Sequence, residues 1–362
     1  MLNAYERVVR ALNFEEPDRV PIWDKLNNEI LFKKFGGQGD PLIVASKTHK
    51  ALGIDATRRL HLLPYNKKNK HWLDLKIESW FKFLDIPREG WETQFDITQT
   101  TKFIKSRPFT TIEELETNLP KYPIEDEVVQ WYLDEFKKYH DILWPHTIFI
   151  GATEGCLTEA YTFTGLQLFS KIIYLAPNIL KYLLDLFTKF ITIITKIYAE
   201  FELGPAFMIC DDIAHRGGLM FSPSFLKNEF LPRLRKIMQP LKKKNIKVLF
   251  HSDGNLNRIL DNLVEAGIDG LNPIEPTAGM NIAEIKEKYG DKIILIGNID
   301  CTQLLSHGTS KEIIKATIDC INAAAPGSGF FIGSSSEIHS GIPVENAVLM
   351  YETAKKYGRY PI

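Results

Sequence analysis

His251 and Asp253 are the side chains of this chain best suited to chemistry. They stand two residues apart in the run Phe250-His251-Ser252-Asp253-Gly254. In an extended segment that spacing points both the same way. The residues before them, Ile246-Lys247-Val248-Leu249-Phe250, read as a buried strand. In a parallel α/β protein, chemistry sits at the C-terminal end of such a strand. An imidazole beside a carboxylate binds a metal ion or moves a proton. A catalytic zinc wants three protein ligands and one open position. His251, Asp253 and Glu337 meet that count, and nitrogen and oxygen donors also suit iron or manganese. A His-x-Asp pair alone is a weak signal, and a core histidine bonded to a backbone carbonyl is the plain alternative. Placement at a strand end is what favours function.

Such residues need a scaffold to aim them. Short apolar runs at 20–23, 54–58, 147–151, 206–210, 246–250, 268–272, 293–297 and 329–333 read as eight strands. Helices are expected at 5–12, 41–52, 126–140, 177–203, 224–244, 256–266, 281–289, 309–323 and 343–357. Asp40-Pro41 is a helix start and Gly53 a helix stop. Thr111-Ile112-Glu113-Glu114 matches a capping box. Eight β/α units predict a (β/α)8 TIM barrel filling 1–362 as one domain. A doubly wound sheet is the alternative, but no G-x-G-x-x-G follows a first strand. Residues 62–110, with Trp72, Trp80, Trp91 and the alternating Gln94-Phe95-Asp96-Ile97-Thr98, read as an irregular or β-rich insertion over the barrel mouth.

In a barrel the rim residues can be named in advance. Arg58 and Arg59 end the second strand, and one of them suits an anionic group. Tyr161 follows the third strand. Asp211 and Asp212 follow the fourth, where capping a loop is as good a reading as catalysis. Asn272 and Glu275 follow the sixth strand, Asn298 the seventh, and Glu337 and His339 the eighth. Asn272 and Asn298 are as well suited to ordering loops as to touching a substrate. Cys210 and Cys301 read as small packing residues.

Composition narrows the classes of function. The chain has 362 residues, 44% hydrophobic and 25% charged, with a net charge of -1. That balance gives no electrostatic footprint for nucleic acid. Cys156, Cys210, Cys301 and Cys320 form no C-x-x-C pair, which favours free thiols and a cytoplasmic setting. The apolar stretch 178–201 is interrupted by Lys181, Asp185, Lys189 and Lys196 at helical intervals, so it reads as an amphipathic helix and not a membrane span. Nothing in the residues selects an oligomer; a homodimer is allowed.

The chain resembles the uroporphyrinogen decarboxylase superfamily along nearly its whole length. Glu6-Arg7-Val8, Asn13 to Pro21, Asp211-Asp212 with Gly218 to Pro223, His251-Ser252-Asp253-Gly254, Leu271-Asn272-Pro273, Gly297 to Asp300 and Pro343 to Asn346 carry the resemblance. It implies a (β/α)8 barrel. The decarboxylases look like M-R-Q-A-G-R after the first strand, with arginines that hold substrate carboxylates. Here that place reads Lys25-Leu26-Asn27-Asn28-Glu29, and Arg58-Arg59-Leu60-His61 stand where an aspartate is expected, although Tyr161 matches the decarboxylase tyrosine. The other branch is similar to corrinoid-dependent methyltransferases, whose zinc motif is His-x-Cys with a later Cys. His251 matches the histidine, Asp253 replaces the first cysteine, and Ser336 or Glu337 stands near the second. The version here looks more like the enzymes that demethylate methoxylated aromatics and pass the methyl group to a separate corrinoid protein. Under that resemblance His251, Asp253, Asp211 and Tyr161 are the catalytic candidates. Arg58, Arg59, Asn272, Asn298 and His339 are the substrate candidates, and Trp72, Trp80 or Trp91 are candidates to stack on the ring. A methyltransferase from methyl-corrinoid to a thiol and a non-catalytic barrel binding a corrinoid protein or a tetrapyrrole are the alternatives.

Overall fold

The structure is a computed structural model that describes residues 2–97 and 101–362, so Thr98 of the alternating segment lies outside the described residues. Six strands form one continuous parallel ladder. They are β3 (Gly151–Glu154), β4 (Ala206–Cys210), β5 (Lys247–His251), β6 (Gly270–Asn272), β7 (Ile294–Ile296) and β8 (Phe330–Phe331). β4 is buried at every residue, as a parallel strand covered on both faces must be. The remaining arc is joined by shorter links. Residues 22–23, here β1, bridge Ile332 on one side and Ala56 on the other. β2 (Ala56–Thr57) pairs with Ile148–Phe149, which runs on into β3. Trp23 N–H donates to the Ile332 carbonyl at 2.9 Å, and Asp55 N–H to the Ile22 carbonyl at 2.9 Å. The fold is thus the expected (β/α)8 barrel.

At the β1–β8 seam the backbones pass so close that a Cβ on Gly333 would lie 1.8 Å from the Trp23 carbonyl oxygen. Only glycine fits there. Below the seam, Asp55 accepts from Arg7 and Arg19, each at 2.7 Å, and from the Ile22 N–H at 2.8 Å. Arg7 also binds Asp18 at 2.7 Å. The N-terminal segment therefore holds the strand bottoms together and stands away from the chemistry.

Helix starts follow the local rules. Asp40 accepts from the Leu42 and Ile43 N–H groups, Gly53 closes that helix at φ +69°, and Thr111 with Glu114 makes the capping box. Outside the insertion, the helices Glu29–Gly36, Cys156–Thr164 and Leu166–Leu175 and the short Leu304–His307 go beyond the expected set. The segment expected as one helix at 224–244 is interrupted by a π turn at Leu226–Phe230. The helix Pro177–Glu200 buries one face, and among the described residues no helix is long and apolar enough to cross a membrane.

The insertion is more helical than its sequence suggested. It contains the helix Trp72–Phe83 and an antiparallel hairpin, Glu92–Phe95 with Lys102–Ser106. The helix is capped by His71, whose ring accepts from the Leu73 N–H; histidine is not among the usual capping residues, so the start carried no signal. Trp80 is fully buried, packs on Trp91 and Phe163, and donates to Glu159 at 2.8 Å. Trp80 and Trp91 thus pack the insertion against Phe163 of the helix Cys156–Thr164. Trp72 alone of the three lines a cavity.

Candidate active site at the strand C-termini

β5 runs one residue further than expected, so His251 is its last residue. Register carries the site outward from there, for His251 stands opposite Cys210 of β4 and Asn272 of β6. His251 Nδ1 lies 2.6 Å from Asn272 Oδ1, while the Asn272 amide donates to the Ile296 carbonyl at 3.3 Å. The amide is thereby oriented with its oxygen toward the ring. An oxygen can only accept, so Nδ1 carries the proton and Nε2 keeps a lone pair. Burial, then the charges of Arg58 and Lys25, hold the imidazole well below its ordinary pKa. The ring is neutral at physiological pH.

Asp212, His251 and Asp253 each bring a ligand atom within 4.8 Å of the others. His251 Nε2 is 3.8 Å from Asp253 Oδ1. The Asp253 N–H donates to Asp212 Oδ1 at 3.1 Å, and Ser252 Oγ accepts from the Ile213 N–H at 3.1 Å, which ties the two loops together. The Asp253 side chain is 45% exposed, yet its Oδ1 is shut off from solvent without a hydrogen-bond partner. Burial of that oxygen and the neighbouring Asp212 charge push the carboxyl up to about 7. Burial, then the charge of Glu154, also raises Asp212. Two carboxylates crowded beside an imidazole lone pair are the arrangement a divalent ion relieves. Gly254 completes the loop at φ +89°, where a Cβ would come within 2.5 Å of the His215 nitrogen. The spacing pointed to His251 and Asp253; Asp212, a rim residue, is the third member.

Several sequence candidates stand elsewhere. Glu337, expected as a ligand, is outside this group. It accepts from Asn27 at 3.0 Å, and its other oxygen lies 3.3 Å from His61 Nε2 and 3.9 Å from Lys25 Nζ. Although burial pushes that carboxyl up, His61 and Lys25 hold it well below the usual range. Asp211, expected as catalytic, is wholly buried and accepts from the N–H groups of Leu157 and Thr158 at 3.2 and 2.6 Å. It caps the helix Cys156–Thr164, whose own N-cap position is Gly155. Asn272, expected as a substrate contact, is engaged with His251. Asn298 donates to the Ile274 carbonyl at 3.0 Å and accepts from Cys320. His339 Nδ1 accepts from the Gly341 N–H, turned into its own loop. Tyr161 donates to the Asp212 carbonyl at 3.2 Å, so it positions the cluster through the backbone. Burial raises its phenol far above the ordinary value.

The two arginines part company. Arg59 pairs with Glu154 at 3.3 Å and lies over the Trp72 ring at 4.7 Å. Arg58 is 6% exposed and its Nε has no partner. Lys25 is buried nearby, and burial, with the Arg58 charge, lowers it to about 8. Sequence reasoning had noted Lys25 only as the place where an arginine is missing. Its burial depends on the Glu337 contact, 312 residues away in the chain, which no local pattern reports.

The comparisons with known proteins agree with this architecture. Uroporphyrinogen decarboxylases of Trichodesmium erythraeum (strain IMS101) and Coxiella burnetii (strain Dugway 5J108-111) are 22% and 24% identical to the chain over 96% and 97% of its length, covering 95% of each relative. A solved methyltransferase from Methanosarcina mazei superposes with a TM-score of 0.71 over 99% of both chains at 20% identity, which is a likeness of fold. The family model described as uroporphyrinogen decarboxylase (URO-D) matches residues 86–357, and the chain belongs to that family.

Proposed function

We propose that this protein is a methyltransferase that takes a methyl group from a methoxylated aromatic compound and delivers it to the Co(I) corrinoid of a separate corrinoid protein. The observation that carries this reading is the Asp212–His251–Asp253 group at the ends of β4 and β5, with a neutral histidine whose Nε2 is turned outward by Asn272. The likeness of fold to the Methanosarcina mazei methyltransferase over both whole chains supports it.

Asp212, His251 and Asp253 would hold zinc or a similar divalent ion. Bound there, the ion supplies Lewis acidity toward an ether oxygen. The chain's own residues do the rest. Asn272 fixes the imidazole, and Ser252 fixes the Asp212 loop. In the transfer the C–O bond breaks with its electron pair left on the phenolate oxygen. The cobalt of the partner supplies the pair for the new bond to carbon, so no covalent enzyme residue is needed. With Asp253 holding the ion as a carboxylate, the phenolate would leave as the anion and take its proton from solvent water.

Decarboxylation of uroporphyrinogen fits the mouth poorly. Glu154, Glu337, Asp212 and Asp253 stand among the cations Lys25, Arg58 and Arg59, so many substrate carboxylates would meet like charge. A thiol acceptor is disfavoured by the donor set, because the metal-binding group contains no cysteine among the described residues. The deciding assay mixes the protein with reduced corrinoid protein and a panel of methoxybenzoates and methoxyphenols, and follows corrinoid absorbance on methylation. Turnover of at least one donor supports the reading. No turnover of any donor, together with methyl transfer to a thiol, overturns it.

A further inference from the structure

Arg58 stands at the C-terminal end of β2 with 6% of its surface exposed, yet among the described residues it has no ion-pair or hydrogen-bond partner. A buried guanidinium without an acceptor is costly to the fold. Its neighbour Arg59 does not share this state, being held by Glu154 and stacked on Trp72. Arg58 lines one end of a cavity of about 820 Å³, within the size range of cavities that enclose a whole small-molecule ligand. The cavity runs from the barrel mouth between the insertion helix Trp72–Phe83 and the helix Glu125–Leu143. Its exposed lining is more apolar than polar, with Trp131, Phe136 and Phe190 among its walls, but it also carries charged side chains, the cations Lys76, Lys82 and Arg88 among them. The charge of Arg58 also acts on His251, Asp212 and Asp253, none of which lines the cavity itself.

We infer that Arg58 anchors the carboxylate of a substrate whose apolar body extends into the cavity between the insertion helix and the helix Glu125–Leu143. The ligand class is an aromatic monocarboxylate with a large apolar substituent. A planar guanidinium donates two parallel hydrogen bonds to a carboxylate, which fixes direction as well as charge. The volume is more than a single substituted ring fills, and the aromatic wall offers apolar area for the rest. The inference rests on the methyltransferase reading only for the occupant being the methyl donor; the anion site stands on Arg58 and the cavity.

Calorimetry without corrinoid protein separates the two. Biphenyl-4-carboxylate is titrated into the wild-type protein beside biphenyl-4-carboxamide and benzoate. The carboxylate is expected to bind at least tenfold more tightly than the carboxamide, and at least tenfold more tightly than benzoate. Arg58→Gln removes the first preference and Arg59→Gln retains it; Arg58→Lys keeps part of it. Equal binding of carboxylate and carboxamide by the wild-type protein overturns the anion site and needs no variant. Equal binding of biphenyl-4-carboxylate and benzoate overturns the role of the cavity. Discrimination that holds while no methoxylated donor is turned over leaves the site standing and sinks the methyltransferase reading.

Discussion

His251 Nδ1 and Asn272 Oδ1 are 2.6 Å apart, and this contact decides which ring nitrogen faces the barrel mouth. With Asn272 held in turn by the Ile296 carbonyl, the imidazole has one tautomer and one direction. Replacing Asn272 by Ala frees the ring to turn and to take the other tautomer. Zinc affinity, measured by competition with a chromophoric chelator, is expected to fall by about 10–100-fold. Asn272→Asp is expected to retain more affinity, because a carboxylate also accepts from Nδ1. Unchanged affinity in Asn272→Ala would remove the contact from any part in metal binding.

The ligand set separates Asp212 from Glu337. Asp212→Ala, His251→Ala and Asp253→Ala are each expected to purify with most of the zinc lost, by elemental analysis. Glu337→Gln is expected to keep it, since Glu337 is bound to Asn27 and faces His61. Metal lost from Glu337→Gln and kept in Asp212→Ala would reinstate the ligand set expected from the sequence.

Asp211 is a cap and not a reagent. Asp211→Ala leaves the Leu157 and Thr158 N–H groups buried without acceptors. The expected cost is about 2–3 kcal/mol in urea denaturation. Metal content is expected to remain near wild type. Loss of metal with unchanged stability would show that Asp211 belongs to the site.

His49 is expected to contribute stability that is lost as pH drops below about 6.5. His49 is fully buried, with Nδ1 on the Ala45 carbonyl and Nε2 without a partner. Burial holds its pKa down at about 4, and His71 is lowered to about the same value, also by burial. Asp211 and Asp253, raised to about 7, and Asp24, raised to about 6, act in the opposite sense. At His49 and His71 the unfolded chain binds more protons than the folded one between 4 and 6.5, so their contribution to stability rises with pH across that window. It is fully present above the unfolded value and is lost as pH falls toward 4. His49→Gln is expected to flatten the slope in urea titrations at stepped pH. A slope unchanged in that variant would mean that His49 does not supply it.

What the sequence disclosed followed the range of the interactions involved. The strands and the Asp40 and Thr111 caps are written in neighbouring residues, and they were legible. His251 and Asp253 were legible for the same reason, as a pair on one extended segment. Asp211 and Asp212 were adjacent candidates, and only the packing of the helix Cys156–Thr164 against β4 tells cap from ligand. Arg58 and Arg59 were likewise ambiguous until Glu154 and Trp72 were seen to engage one of them. The insertion helix was missed because His71 caps it. Glu337 is drawn away from the Asp212–His251–Asp253 group by partners, His61, Asn27 and Lys25, that come from the opposite end of the chain.

The tie between Glu337 and His61 also sets how the mouth is covered. Glu337 beside His61, with His61 Nδ1 2.5 Å from the Tyr65 hydroxyl, fastens the insertion to the far side of the β1–β8 seam. Arg107 fastens its other end to the Thr162 and Phe163 carbonyls beyond β3. The roof is therefore anchored at both ends over the first three strands and lopsided by construction. In the proposed reaction the corrinoid protein is then expected to approach from the side of β5 to β7, over His251. A small donor already lodged beneath the roof would meet it edge-on, so the two reactants would use separate doors and could arrive in either order.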